Sequence, residues 1–140
     1  MLLLPRKGIL AIAAVLDIAM NARGRPVAAK SLASRHRLPP RHLEPVLQAL
    51  VRQGILRGVR GPRGGYELAR NEKDIAADEI LRAAGTVEDH NDAEVADSVL
   101  LSDVVVPALA LAEEKLSEAL ARITVADLAK SADKGQKAAE

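Results

Sequence analysis

Tyr66 is the only aromatic residue among 140, and the chain has no Phe, Trp or Cys. Any core must therefore be filled by Leu, Val, Ile and Ala, which suits packed helices better than a β-sandwich rich in aromatic and β-branched residues. A chain of this length holds one compact core and an appendage, not two full cores. The scarcity of aromatics also counts against single-stranded or RNA ligands, whose bases stack on aromatic platforms. Without cysteine the chain has no disulfide, no thiol nucleophile and no thiolate-held zinc or iron–sulfur centre.

The punctuation of the sequence divides it into short helices. Pro5 suits a helix start, and Ile9, Ile12, Ala13, Leu16 and Met20 share one face of a helix from Arg6 to about Ala22, stopped by Gly24. The apolar N-terminal run is too short to span a bilayer and is interrupted by Asp17, so it reads as a buried first helix of a cytoplasmic protein rather than a signal peptide or anchor. A second helix is expected from Ala29 to about Arg35, with Leu32 and Ala33 inward. Arg37-Leu38-Pro39-Pro40 forbids its continuation and pre-sets a third helix to about Gln53, carrying Leu43, Val46, Leu47 and Leu50 inward and stopped at Gly54. Two helices across a tight turn, flanked by Arg35, Arg37 and Arg41, form a helix-turn-helix pattern.

Directly afterwards, Ile55–Arg60 and Gly65–Ala69 read as antiparallel strands joined by Gly61-Pro62-Arg63-Gly64. A hairpin here, with Arg57, Arg60 and Arg63 at or near its tip, is a wing whose arginines can reach phosphates or a narrow minor groove. Charge supports this reading. Residues 1–70 carry 13 Lys/Arg against three acids, a balance of +10, and residues 71–140 carry 7 against 16, a balance of −9. The basic half suits a polyanion and the acidic half a different partner.

A further helix is expected over Ile75–Ala84, then an acidic loop from Thr86 to Asp97. Val105, Leu109, Ala112, Leu116, Ala119 and Ile123 follow at alternating spacings of four and three, the stripe of a helix of about 20 residues. Pro107 inside it predicts a kink, or a start near Ser102. A two-fold partner is the preferred cover for the stripe; packing back on its own domain is the alternative. Thr124 caps a short helix to about Lys130, and 131–140 reads as a disordered tail. The expected organisation is thus a DNA-binding domain over 1–85, a loop over 86–97, a dimerisation region over 98–130 and a tail.

Val59-Arg60-Gly61-Pro62-Arg63-Gly64-Gly65-Tyr66 resembles the wing signature of the iron–sulfur cluster regulator type of bacterial transcription factors, the Rrf-two family. Lys7-Gly8, Leu43-Glu44 and Ile123-Thr124-Val125-Ala126-Asp127-Leu128 add to the likeness, which covers Lys7 to about Leu128. It implies a homodimer with crossing long helices and a pseudo-palindromic operator, and it puts Glu44 where the family reads base edges; a capping or ion-pairing acid is the alternative there. The family's cluster cysteines fall on Asn91, Asp97 and Asp103 and its histidine on Val106, none of which supplies a thiolate. His90 nearby reads as solvated.

The expectation is therefore a mainly α, winged helix-turn-helix regulator with a long C-terminal dimerisation helix, with no cofactor or metal, and no membrane partner. Lys7, Arg57 and Arg60 are expected on the duplex backbone and Arg63 in or near the minor groove. Arg41, His42 and Glu44 enter the major groove, Arg41 being the best match for guanine. An unknown effector or partner protein remains open, as does a winged-helix protein-interaction module. Enzyme chemistry has little support, because His36, His42 and His90 lack a Ser–acid pairing and the Gly-rich turn lacks a phosphate loop's Lys-Ser/Thr.

Overall fold

Small residues on the inner face of the first helix set the spacing of the whole core. Helix α1 (Arg6–Asn21) buries Gly8, Ala11, Ala14, Val15 and Ile18, and a Cβ at Gly8 would collide with the Leu81 side chain of the helix packed across it. The computed structural model describes residues 3–22, 24–87 and 98–139. After α1 come α2 (Ala29–Arg35), α3 (Pro40–Arg52), strands β1 (Leu56–Val59) and β2 (Gly65–Leu68), α4 (Ala77–Gly85), α5 (Val106–Ala121) and α6 (Val125–Ala139). Leu32, Leu43, Leu47, Leu50, Ile55, Ile75 and Ile80 close around α1, all fully buried. Each such aliphatic side chain contributes about 1.5–3 kcal/mol by leaving water.

Both helices of the helix-turn-helix end in the same device. At the end of α3 the amide of Gly54 donates to Val51 and that of Ile55 to Leu50, with Gly54 at φ 74°. At the end of α2, Arg37 donates to Ser34 and Leu38 to Ala33. These paired bonds satisfy the last carbonyls and turn the chain sharply.

The hairpin pairs Leu56 with Leu68 and Arg57 with Glu67, through to Val59 with Gly65. Val27, ahead of α2, exchanges two hydrogen bonds of 2.8 Å with Tyr66 and gives the hairpin a third short edge. Gly65 allows this approach: a Cβ there would strike the Val27 backbone. Gly65→Ala is expected to loosen the wing and lower the urea midpoint, by a cost of about 1–3 kcal/mol. An unchanged midpoint would show that the wing is not held through Val27.

The fourth helix starts two residues later than the periodicity suggests. Ile75 is extended and buried, and its carbonyl accepts the Val125 amide at 2.9 Å, while Ala77 donates to Ile123 at 2.8 Å. The chain leaving α5 thus returns as an extended segment against the entrance of α4, and Val125 joins the winged domain's core. The boundary expected between 1–85 and 98–130 is bridged by these bonds. Thr124 does cap the last helix: its Oγ1 accepts the Asp127 amide, and the Asp127 carboxylate accepts the Thr124 amide. That helix does not stop near Lys130 but continues to Ala139, through most of the range read as a tail. Its Ala- and Lys-rich composition favours helix, and α1 packs against it.

Before Pro107 the chain makes a wide turn over Leu101–Val105, in which the Val106 amide reaches back five residues to Leu101. The proline, lacking an amide hydrogen, then falls in the first turn of α5, where none is needed. Residues 88–97, which hold His90, Asn91 and Asp97, lie outside the described residues. Among the described residues no helix is long and apolar enough to cross a membrane.

Candidate nucleic-acid interface

Helix α3 is amphipathic in the sense a groove-reading helix requires. Leu43, Val46, Leu47, Ala49 and Leu50 face the core, and Arg41, His42, Glu44, Pro45 and Gln48 form the exposed face. Three of the expected base readers, Arg41, His42 and Glu44, therefore project together from the first turns. No side chain caps the start of α3, so Glu44 is not a capping acid, and among the described residues it has no ion-pair partner.

Pro45 sits inside the helix and cannot donate to the Arg41 carbonyl four residues back. An internal proline costs about 3 kcal/mol or more. An acceptor and an apolar ring are thus added to the outward face.

The wing follows without slack. Gly54 and the buried Ile55 lead straight from α3 into β1, and Arg60 and Arg63 stand exposed at the turn, with no ion pair among the described residues. Arg57 differs from them. Its Nε donates to Glu67 across the hairpin at 3.0 Å, so its charge is partly neutralised and it braces the strands. Between α3 and the wing runs a groove of about 450 Å³, walled by Gln48, Val51, Arg60, Gly61 and Tyr66. The amide of Gln48 approaches the Tyr66 hydroxyl at 3.5 Å. Sequence reading did not single out Gln48; its place one turn beyond Glu44, on the same helix face, is the signal that finds it.

Lys7 stands near the start of α1, and its ammonium donates to the Val87 carbonyl at 2.8 Å, which ties the start of α1 to the end of α4 and leaves two further N–H donors.

Asp17 holds the helix-turn-helix in place. Its side chain, 7% exposed, accepts from Arg35 through both oxygens, from His36 Nε2 at 2.9 Å and from Asn21. A carboxylate only accepts, so Nε2 of His36 carries the proton. Burial acts to raise the Asp17 carboxyl, but the hydrogen bonds and charges of Arg35 and then His36 outweigh it and hold it below the ordinary carboxylate value. In the sequence Asp17 marks only the break in an apolar run, because its partners lie 18 and 19 residues away.

The stripe expected to make a dimer is bare in the protomer. No residue of α5 is buried; Leu109 is 64% and Leu116 40% exposed, and Ala112, Ala119 and Ile123 are also exposed. Val104 and Leu111 widen the apolar face beyond the expected stripe, and Val105 continues it into the preceding turn.

The winged domain, the exposed long helix and the hairpin signature converge with comparison to known proteins. A family model described as Rrf2, iron-dependent transcriptional regulator, matches residues 4–131. The chain belongs to the Rrf2 family. Within it, a protein named as an HTH-type transcriptional regulator of Haemophilus influenzae is 39% identical over 80 residues, 57% of this chain and 53% of its own length. The regulator IscR of Escherichia coli is 35% identical over 80 residues, 57% of this chain and 49% of its own. The chain thus spans about half the length of the curated relatives it matches. Among solved structures, IscR of T. potens superposes with a TM-score of 0.72 at 30% identity, covering 96% of this chain and 91% of that one. CymR of B. subtilis superposes at 0.70 with 24% identity, covering 94% and 98%, a likeness of fold.

These Rrf2 relatives bear out the expected family and the mainly helical winged fold, and they are transcription regulators rather than enzymes. The iron in the family description does not fit this chain's donors. With no cysteine in the sequence, the positions that the family resemblance assigns to its ligands hold Asn91, Asp97, Asp103 and Val106, and none offers a thiolate.

Proposed function

We propose that this Rrf2 member is a sequence-specific, double-stranded-DNA-binding transcription regulator, acting as a homodimer and without an iron–sulfur cluster. The carrying observation is the outward face of α3 leading directly into an arginine-tipped wing. In this reading Arg41, His42 and Glu44 enter the major groove, with Arg41 suited to guanine and Glu44 to cytosine N4. Arg60 and Arg63 reach the backbone or the adjoining minor groove, and Arg57 supports them through Glu67. Two protomers closed through α5 bind half-sites about one helical turn, roughly 34 Å, apart. Repression by occupying promoter DNA is the simplest mode for a regulator with no cluster, and a cytoplasmic location follows from the partner. The input is an effector or partner protein of unknown chemistry, or there is none.

Selection of bound duplexes from a random pool, followed by salt titration, tests this reading. With three or four phosphates neutralised per protomer, log affinity against log salt falls with a slope of about −6. A slope shallower than about −2 sinks the electrostatic part. Arg60→Ala is expected to weaken all duplexes alike, and Arg41→Ala to relax preference at one base pair by about 1–3 kcal/mol. A stable dimer that binds no duplex even at low salt would favour the protein-interaction module instead.

A further inference from the structure

Among the described residues Arg37 is the one non-glycine with a positive φ, at 54°. It occupies the left-handed position that terminates α2, where a Cβ crowds the backbone and Gly or Asn is the usual choice. The fold offers this arginine no return for that strain. Its side chain is exposed. The two preceding basic residues, Arg35 and His36, both bind Asp17, whereas Arg37 has no ion-pair partner among the described residues. Arg35 already places a cation in the last turn of α2, so a second one there adds little.

The position of Arg37 supplies the missing reason. Pro39, extended at φ −63° and ψ 137°, and Pro40, the first residue of α3, fix the short path from Arg37 to Arg41. In a docked helix-turn-helix the first helix crosses the sugar–phosphate backbone and the second lies in the major groove. The turn between them passes over the rim of the groove, where the phosphates run. Backbone strain kept at an exposed position points to function when packing does not explain it.

We infer that Arg37 is a phosphate contact at the rim of the major groove, which explains why arginine stands where the backbone favours glycine. The inference rests on the DNA-binding reading above. The contact is electrostatic and independent of sequence, and it sets the depth and register of α3.

The test compares wild type, R37G and R37K on the selected duplex, titrated between about 50 and 200 mM salt, with a thermal melt of each free protein. R37G is expected to flatten the log–log slope by about 1.8, two contacts per dimer at about 0.9 each. It weakens binding about sixtyfold at about 0.1 M salt, equally for unrelated duplexes. Its Tm rises by about 2–4 °C as the strained residue is relieved. R37K keeps the wild-type slope. R37G with wild-type slope and affinity overturns the inference and leaves Arg37 a helix-terminating residue. R37K behaving as R37G overturns it too, and a lowered Tm in R37G removes the premise of strain. If wild type binds no duplex, the DNA-binding reading itself fails, a result distinct from any difference among the variants.

Discussion

Glutamate at both Leu109 and Leu116 is expected to leave a folded protomer that no longer pairs and loses most of its affinity for a two-half-site duplex. Neither leucine is buried in the protomer, where both line an open cleft between α5 and α4. They lie on one side of α5 with the exposed Val105, and an apolar stripe of this kind marks an interaction surface. In a two-fold contact each substitution appears twice on the same interface, so the four new charges face one another in a dehydrated seam. Sedimentation should report a monomer, and helicity and Tm should remain near wild type. Binding to a duplex with both half-sites should fall about 10²–10⁴-fold, the advantage that linkage of two sites confers, while binding to a single half-site should scarcely change. A persistent dimer, or a collapsed Tm, would mean that α5 covers its face within one protomer.

Asp17→Ala carries the second large effect, on stability. The substitution removes four hydrogen bonds accepted by one buried carboxylate, and charge-assisted bonds are worth about 1.5–3 kcal/mol each. Arg35 is 44% exposed and His36 27% exposed, so both recover water, and the net loss should be about 3 kcal/mol. For a chain of this size that is a fall in Tm of roughly 10 °C. The pH dependence has a definite sign. Because the folded carboxyl lies below its ordinary value, its stabilisation is complete above the unfolded Asp value, about 3.9. It declines as pH falls through the lower folded value. The gap between wild type and variant should close as pH falls below the unfolded Asp value. A gap that stays open there would contradict the Arg35 and His36 pairing. Fold and groove reading are coupled here, since Asp17 fixes the end of α2 from which α3 departs.

Local chemistry made most of the fold legible. Gly54, Pro39-Pro40 and the turn Gly61–Gly64 act on their own neighbours, and the elements they delimit fall within two residues of expectation. Contacts between distant segments stayed hidden. Nothing local tells that Ile75 is extended, because its partner Val125 lies 50 residues on. Lys7 shows only as charge in the sequence, and its carbonyl partner lies 80 residues away. Arg57 likewise needed the strand register to meet Glu67. The exposed triad of Arg41, His42 and Glu44 was readable because helical periodicity and exposure are properties of α3 itself. Arg37 was visible only as charge; its left-handed backbone is a fact of geometry.

The extended crossing in which Ile123 and Val125 bond to the entrance of α4 makes the end of α5 a fulcrum. The helix is a rod of about 24 Å, held to the winged domain over its C-terminal part by this crossing and by Arg82, which donates to Ser117 at 3.1 Å. Rotating such a rod by about 10° carries its free end about 4 Å, close to the 3.4 Å rise of one base pair. A dimer joined through these rods would convert a small change of hinge angle into a different distance between recognition helices. Spacing between half-sites would then be gauged mechanically, by a joint that touches no base.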